Sequence, residues 1–192
     1  MSLETTNTSD GAADTADTSN TTLVGLAGGP STGKSTLAER LSERTKGGVA
    51  EEQLQGYWED NHTNRKLADK QLVEVANLQL EAENKTTADV VVSDTTPITA
   101  EAYARYYHGT ASEELIRLSA QAKQRYDLIV LCGADIPFEE DGVRSGDGTR
   151  QEIQNHTVSI LEREGIDYVT ASGAVEQRVE AVLNKIKSRS VP

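Results

Sequence analysis

The stretch GGPSTGKST, Gly28 to Thr36, places Gly28 and Gly33 around three small residues and a proline and follows them with Lys34 and Ser35. That satisfies G-x-x-x-x-G-K-[ST], and it lies between an apolar run and a run with helical spacing, the context this motif's chemistry requires. Backbone N–H groups of Gly28, Gly29, Ser31, Thr32, Gly33 and the first helical residues would turn inward to cradle phosphate oxygens at the helix N-terminus; Pro30 itself lends only its fixed φ. Lys34 would reach the β- and γ-phosphates, the Ser35 hydroxyl would ligate Mg²⁺, and Thr36 continues the same turn. The plainer alternative is a glycine-rich turn at a helix start. Asp94 closes VVVSD, where a carboxylate can hold Mg²⁺ through water or take a proton from an attacking hydroxyl, or merely cap the next segment. Glu51 and Glu52 end another short apolar run. Arg144 and Arg150 stand among glycines and carboxylates in IPFEEDGVRSGDGTRQ. Guanidinium groups there could fold over a triphosphate or form ordinary surface pairs. Tyr57, Trp58, Tyr106 and Tyr107 are concentrated in a chain with 4% aromatics, suited to stacking a planar ring or cation or to filling gaps between helices. His62, His108 and His156 show no metal-ligand spacing.

These residues need a scaffold that brings them to one edge, and the pattern of the chain supplies it. TLVGLA (22–27) reads as a strand, and Leu37, Ala38 and Leu41 then recur at helical spacing until Gly47 and Gly48. A short strand around Val49 and Ala50 follows. Ala68, Leu72, Val75 and Ala76 mark a long amphipathic helix. DVVVSD lacks alternation, as a strand buried on both faces does. Pro97 suits a first helical position. Leu115, Leu118 and Ala122 mark another helix, DLIVLC a fourth strand, and residues 133–150 a long loop. Ile153, Thr157, Ile160 and Leu161 give a helix ended by Gly165, IDYVT a fifth strand, and Val175, Val179, Val182, Leu183 and Ile186 the last helix. Strands alternating with helices predict an α/β fold: a five-stranded parallel sheet with helices on both faces. Ligands of such sheets bind at the carboxyl ends of the strands, where the singled-out residues fall.

Composition narrows the partners. The 192 residues suit one domain, expected over 22–192, behind an acidic Thr/Ser/Asp-rich tail at 1–21 that lacks the apolar side chains to order itself. A formal charge of −12 argues against nucleic-acid or anionic-membrane surfaces. The single cysteine, Cys132, excludes an internal disulfide and a cysteine zinc cluster, and its apolar run marks it as a buried small hydrophobe. No stretch approaches the roughly 20 apolar residues of a membrane span, and the N-terminus lacks signal-peptide character, so a cytoplasmic location is expected.

Three stretches resemble the NadR-type ribosylnicotinamide kinases, a P-loop kinase family within the AAA-like ATPases: GGPSTGKSTL, VVVSDTTPITAEAYARYYHG and LCGADIPFEEDGVRSGDGTR. The resemblance covers roughly residues 23–186. It implies a P-loop kinase fold, ATP and Mg²⁺ as cofactors, and γ-phosphate transfer to a nucleoside-type small molecule, nicotinamide riboside foremost. It makes Asp94 the candidate base for the ribose 5′-hydroxyl and Arg144 and Arg150 the lid arginines. It also places Tyr107 where a tyrosine can stack the pyridine ring and matches Glu52 to the glutamate ending the second strand. With Tyr57, these are the candidate acceptor contacts. Gln55 stands where the family has an arginine, and Glu51 where bifunctional members have a tryptophan. Both departures fall on loops of the acceptor pocket, so they bear on the substrate and leave the chemistry alone. The adenylyltransferase and DNA-binding parts of those larger proteins have no counterpart here, so no regulatory role is expected. The other readings are a kinase for another nucleoside or small metabolite, or a P-loop ATPase switch acting through a partner.

Overall fold

The computed structural model describes residues 21–61, 66–137 and 147–189; Arg144, His62 and the N-terminal tail before residue 21 lie outside them. Strands β1 (Thr22–Ala27), β2 (Gly48–Ala50), β3 (Val90–Ser93), β4 (Leu128–Cys132) and β5 (Tyr168–Ala171) form one all-parallel sheet in the order β2-β3-β1-β4-β5. The helices are α1 (Lys34–Thr45), α2 (Gln53–Asn61), α3 (Asp69–Lys85), α4 (Pro97–His108), α5 (Glu113–Arg125), α6 (Asp147–Glu164) and α7 (Val175–Arg189).

Successive strand side chains point to opposite faces, so the sheet makes two cores. Val24, Leu26, Val92, Val130 and Cys132 pack with Leu37, Leu41, Val179 and Val182 of α1 and α7. Ile129 and Leu131 pack instead with Leu72, Ile98, Leu115, Ile153 and Leu161 of α3 to α6. Both Leu26 and Leu161 are completely buried, and truncating either to alanine would cost about 2–5 kcal/mol. Cys132 is buried as its run implied, and burial pushes its thiol up to about 11.

The helix starts follow local chemistry. Pro97 takes a first-turn position in α4, where its missing N–H costs nothing. The Ser112 hydroxyl accepts the Leu115 N–H at 3.3 Å to cap α5. At the end of α1 the left-handed residue is Lys46 (φ 54°), with the two glycines after it leading into β2.

Several elements differ from the sequence expectation. α2 is an addition to the expected elements: among its described side chains Leu54 and Tyr57 are the buried apolar positions, and Gly56 lies between them. The segment read as loop through residue 150 becomes helical at Asp147, so Arg150 belongs to the first turn of α6. Tertiary contacts hold that turn despite Gly148. Val175 opens α7 but is 37% exposed and stays out of the core. Ala68 precedes α3 as an exposed flanking residue, its N–H donating to Gln71 Oε1 at 2.9 Å.

The topology matters most at β1 and β3, which are neighbours. Gly25 in β1 has no side chain because a Cβ there would lie 2.8 Å from Thr96 Cγ2. That close approach seats the start of α4 against β1. The P-loop after β1 and Asp94 after β3 therefore open at the same edge, where a parallel sheet offers its ligand crevice.

Candidate active site

Gly28 (φ 140°), Ser31 (φ 54°) and Gly33 (φ 78°) put the loop between β1 and α1 into a left-handed-rich path. Such a path turns successive N–H groups into one concavity, an anion nest at the start of α1. Lys34 is nearly buried and its Nζ donates to the carbonyls of Gly29 (3.0 Å) and Gly28 (3.3 Å). Thr32 Oγ1 donates to the same Gly29 oxygen at 2.9 Å. Gln154 of α6 accepts the Gly29 N–H at 2.8 Å and donates to the Cys132 carbonyl at 3.0 Å, tying the loop to β4. Arg150, 6% exposed, donates to the Ile136 carbonyl at 2.9 Å and makes a long 3.5 Å contact with the Ser31 carbonyl.

A cavity of about 240 Å³ opens over this loop, lined by residues 30–36 together with Glu52, Gln55 and Tyr103. Ser35 and Thr36 are exposed in it, while Thr32 and Pro30 form its buried wall. Larger cavities, of about 690 and 760 Å³, lie at the opposite, amino ends of the strands. There Glu83 already accepts from Arg125 Nε, Tyr126 and Ser93, each at 2.6 Å, and neither lining includes a P-loop residue. Geometry therefore favours the smaller cavity as the site.

Asp94 sits behind that cavity, 5% exposed, its backbone N–H held by the Ala50 carbonyl at 2.9 Å. Burial pushes its carboxyl up to about 6, against the opposing pull of the Ser35 hydroxyl and the Lys34 ammonium; the charges of Glu52 and Glu39 add to the rise. Its Oδ1 is buried with no hydrogen-bond partner, as are Thr96 Oγ1 and Thr99 Oγ1 close by in the chain. An orphaned buried carboxylate oxygen beside a serine hydroxyl fits the oxygen donor set a hard divalent cation takes.

The aromatic residues separate. Tyr57 turns its ring into the core and donates its hydroxyl to Glu74 Oε2 at 2.8 Å, so it is not among the cavity's lining residues. Burial, then Glu74, raises its phenol pKa. Tyr107 is half-buried against Tyr103 (centroids 5.8 Å apart) and Tyr106 (5.0 Å), and Tyr103 is the ring that reaches the cavity. Tyr106 joins α4 to α6 through a 2.9 Å hydroxyl contact with Thr149. His108 Nε2 meets the Leu67 carbonyl at 2.8 Å.

The structure thus gathers Lys34, Ser35, Glu52 and Asp94 and brings Arg150 against the loop's outer wall. Tyr103, Gln154 and Arg178 escaped the sequence reading. Tyr103 had a usable signal, lying four residues before Tyr107 on one helical face. Gln154 and Arg178 had none, because their bonds to the P-loop meet backbone atoms from a distant part of the chain.

Comparison with known proteins agrees with this geometry. The family model described as an AAA domain matches residues 23–178. A NadR protein in complex with NAD and AMP-PNP superposes at TM-score 0.70 with 21% identity, over 89% of this chain and 50% of that one. A NadR protein in complex with NR does so at TM-score 0.70 and 20% identity, over 90% and 52%. A deoxyadenosine kinase from M. mycoides gives TM-score 0.58 at 13% identity over 86% and 99%. The chain spans about half the length of the NadR chains. No curated protein sequence matches it. The fold is that of the P-loop kinases, a parallel sheet flanked by helices.

Proposed function

The chain belongs to the AAA domain family, and from that premise we propose that it is an ATP-dependent kinase for a nucleoside-type acceptor, nicotinamide riboside foremost. The observation that carries this reading is the pairing of a phosphate nest with a buried carboxyl, Asp94, at the carboxyl ends of adjacent strands. A carboxyl titrating at about 6 is mostly ionised at neutral pH yet basic enough to accept a proton as an alcohol attacks phosphorus. Lys34 places a positive charge at the mouth of the nest, where charge moves between oxygens during phosphoryl transfer. Ser35 and Asp94 are the residues that would hold Mg²⁺, which when bound neutralises charge on the β- and γ-phosphates. Arg150 braces the outer wall of the nest through Ser31 and Ile136, with its guanidinium turned to backbone.

Two features favour a cationic acceptor. Glu52 and Asp94 bring carboxylates to the cavity region, and Tyr103 presents an aromatic ring to the same space. A ring face flanked by negative charge suits a pyridinium better than a neutral base. The NadR structure bound to NR shares this fold. No helix among the described residues is long and apolar enough to cross a membrane.

ADP release measured against a panel of acceptors tests the reading. ADP should form in proportion to added nicotinamide riboside, with little ADP when acceptor is omitted. Steady hydrolysis indifferent to every acceptor would instead identify a switch ATPase. A pyrimidine or purine nucleoside as best acceptor would leave the kinase and reject the pyridinium preference.

A further inference from the structure

Arg178, in the first turn of α7, is 2% exposed, and a buried guanidinium is tolerated only when acceptors surround it. Four do. Nη1 donates to the Thr32 carbonyl at 2.8 Å, Nε to the Gly173 carbonyl at 2.8 Å, and Nη2 to Asp135 Oδ1 at 2.6 Å and the Gly133 carbonyl at 3.3 Å. Asp135 is itself fixed by the Gly173 N–H at 2.6 Å on its other oxygen. One side chain therefore joins the P-loop to the segments following β4 and β5.

The bond to Thr32 has a consequence for the nest. The peptide joining Thr32 to Gly33 is trans, so its C=O and N–H point in opposite directions. Holding the Thr32 carbonyl toward α7 turns the Gly33 N–H toward the cavity side. Gly33, at φ 78°, can rotate through conformations closed to other residues, so this peptide needs an external anchor more than its neighbours do. Lys34 and Arg150 anchor the carbonyls at residues 28, 29 and 31; Arg178 is what anchors residue 32.

We propose that Arg178 is a positioning residue for phosphate binding, which, braced by Asp135, presents the Gly33 amide to the phosphate chain. The inference rests on the phosphate-nest reading of the P-loop and adds a residue that contacts no phosphate itself. It differs from a merely structural role because the loss falls on affinity for the phosphate chain, in a protein that remains folded.

Inorganic tripolyphosphate, which carries neither base nor sugar, is the probe. Arg178→Lys keeps the charge but cannot reach four acceptors at once, and it should bind tripolyphosphate about tenfold more weakly or worse, the loss expected for one charge-assisted hydrogen bond. KM for ATP should rise alike, with kcat changed much less. Asp135→Asn should show the same loss in smaller measure. Unchanged tripolyphosphate affinity in a folded Arg178→Lys variant overturns the proposal. So does a loss seen for ATP but not tripolyphosphate, since Arg178 would then act through the neighbouring loops. If the variants do not fold, NMR on the unaltered chain decides. The Gly33 amide resonance must shift on tripolyphosphate addition while the Arg178 Nη1–H stays hydrogen-bonded to the Thr32 carbonyl, and a Gly33 amide that does not respond overturns the assignment. Lys34→Ala is the separate control: if it too binds tripolyphosphate normally, the phosphate-nest reading fails, whatever Arg178 does.

Discussion

On the phosphate wall of the site, Lys34, Thr32, Gln154, Arg150 and Arg178 all hydrogen-bond the backbone of the P-loop, whereas on the acceptor side Asp94 Oδ1 is buried with no partner, and Thr96 Oγ1 and Thr99 Oγ1, deeper in the core against Leu54 and Val75, have none either. Each orphaned oxygen costs about 1–3 kcal/mol, and nearly all buried polar atoms elsewhere avoid that cost. One wall is thus braced before any ligand arrives, and the other holds unused acceptor capacity. The difference matches the demands on the two sides. A triphosphate is the same ligand for every kinase and is met by amides whose direction must not vary. The acceptor wall must bind a particular hydroxyl compound and take its proton, so its groups are kept for that task.

The largest expected effect breaks the acceptor wall alone. Asp94→Asn keeps the size of the side chain and removes its charge and basicity. Transfer should fall by roughly 10²–10⁴-fold, the range for a general base, with ATP affinity nearly unchanged in calorimetry. Rescue by raised Mg²⁺ would assign the carboxylate to the metal, and full activity at ordinary Mg²⁺ would remove both roles. In the unaltered chain, kcat/KM should climb with pH through about 6 as Asp94 ionises.

Lys34→Ala breaks the other wall. Loss of a charge-assisted contact should weaken Mg·ATP binding by roughly tenfold to 10²-fold, with acceptor affinity less affected. Equal ATP titration curves for variant and parent would sink the role given to Lys34.

Stability sharpens the same contrast. The folded-state pKa of Asp94, about 6, exceeds its ordinary 3.8, so the folded chain holds this proton more tightly than the unfolded one. The stabilisation from the neutral carboxyl is complete below the ordinary carboxylate range and is lost as pH rises through about 6. At pH 8 the buried charge then costs on the order of 1–3 kcal/mol. Urea unfolding should show Asp94→Asn more stable than the parent at pH 8, with the gap shrinking toward pH 5. A gap that does not narrow would mean the carboxyl is not strained by burial.

The smallest effect concerns the tyrosines. Stacking of a cation on a ring contributes about 0.5–2 kcal/mol, so Tyr103→Ala should weaken nicotinamide riboside by roughly 2- to 30-fold and uridine less. Tyr107→Ala should do less than Tyr103→Ala, because Tyr103 is the ring at the cavity. The reverse order would return the stacking role to Tyr107.

Local chemistry made much of this legible in the residues themselves. The P-loop is a contiguous motif whose glycines, lysine and serine act within one turn, so Gly28 to Thr36 announced itself, as did the buried runs of β1, β3 and β4 and the apolar stripes of α3, α5 and α6. Asp94 was readable because a strand end is a local feature and a parallel sheet sends strand ends to one edge. The sequence by itself thus determined the strands and every helix but α2 and the first turn of α6, and which residues carry charge to the ligand edge, because side-chain period and backbone preference are set within a few neighbours. Only the tertiary structure decided that Tyr103, ahead of Tyr57 and Tyr107, faces the cavity, that Arg150 opens a helix and braces backbone, and that Gln154 and Arg178 lock the P-loop from α6 and α7. The bonds from Gln154 to Gly29 and from Arg178 to Thr32 join residues more than a hundred positions apart through a main-chain amide and a main-chain carbonyl, groups that residues share whatever their type, so nothing in the spelling of the chain marks them.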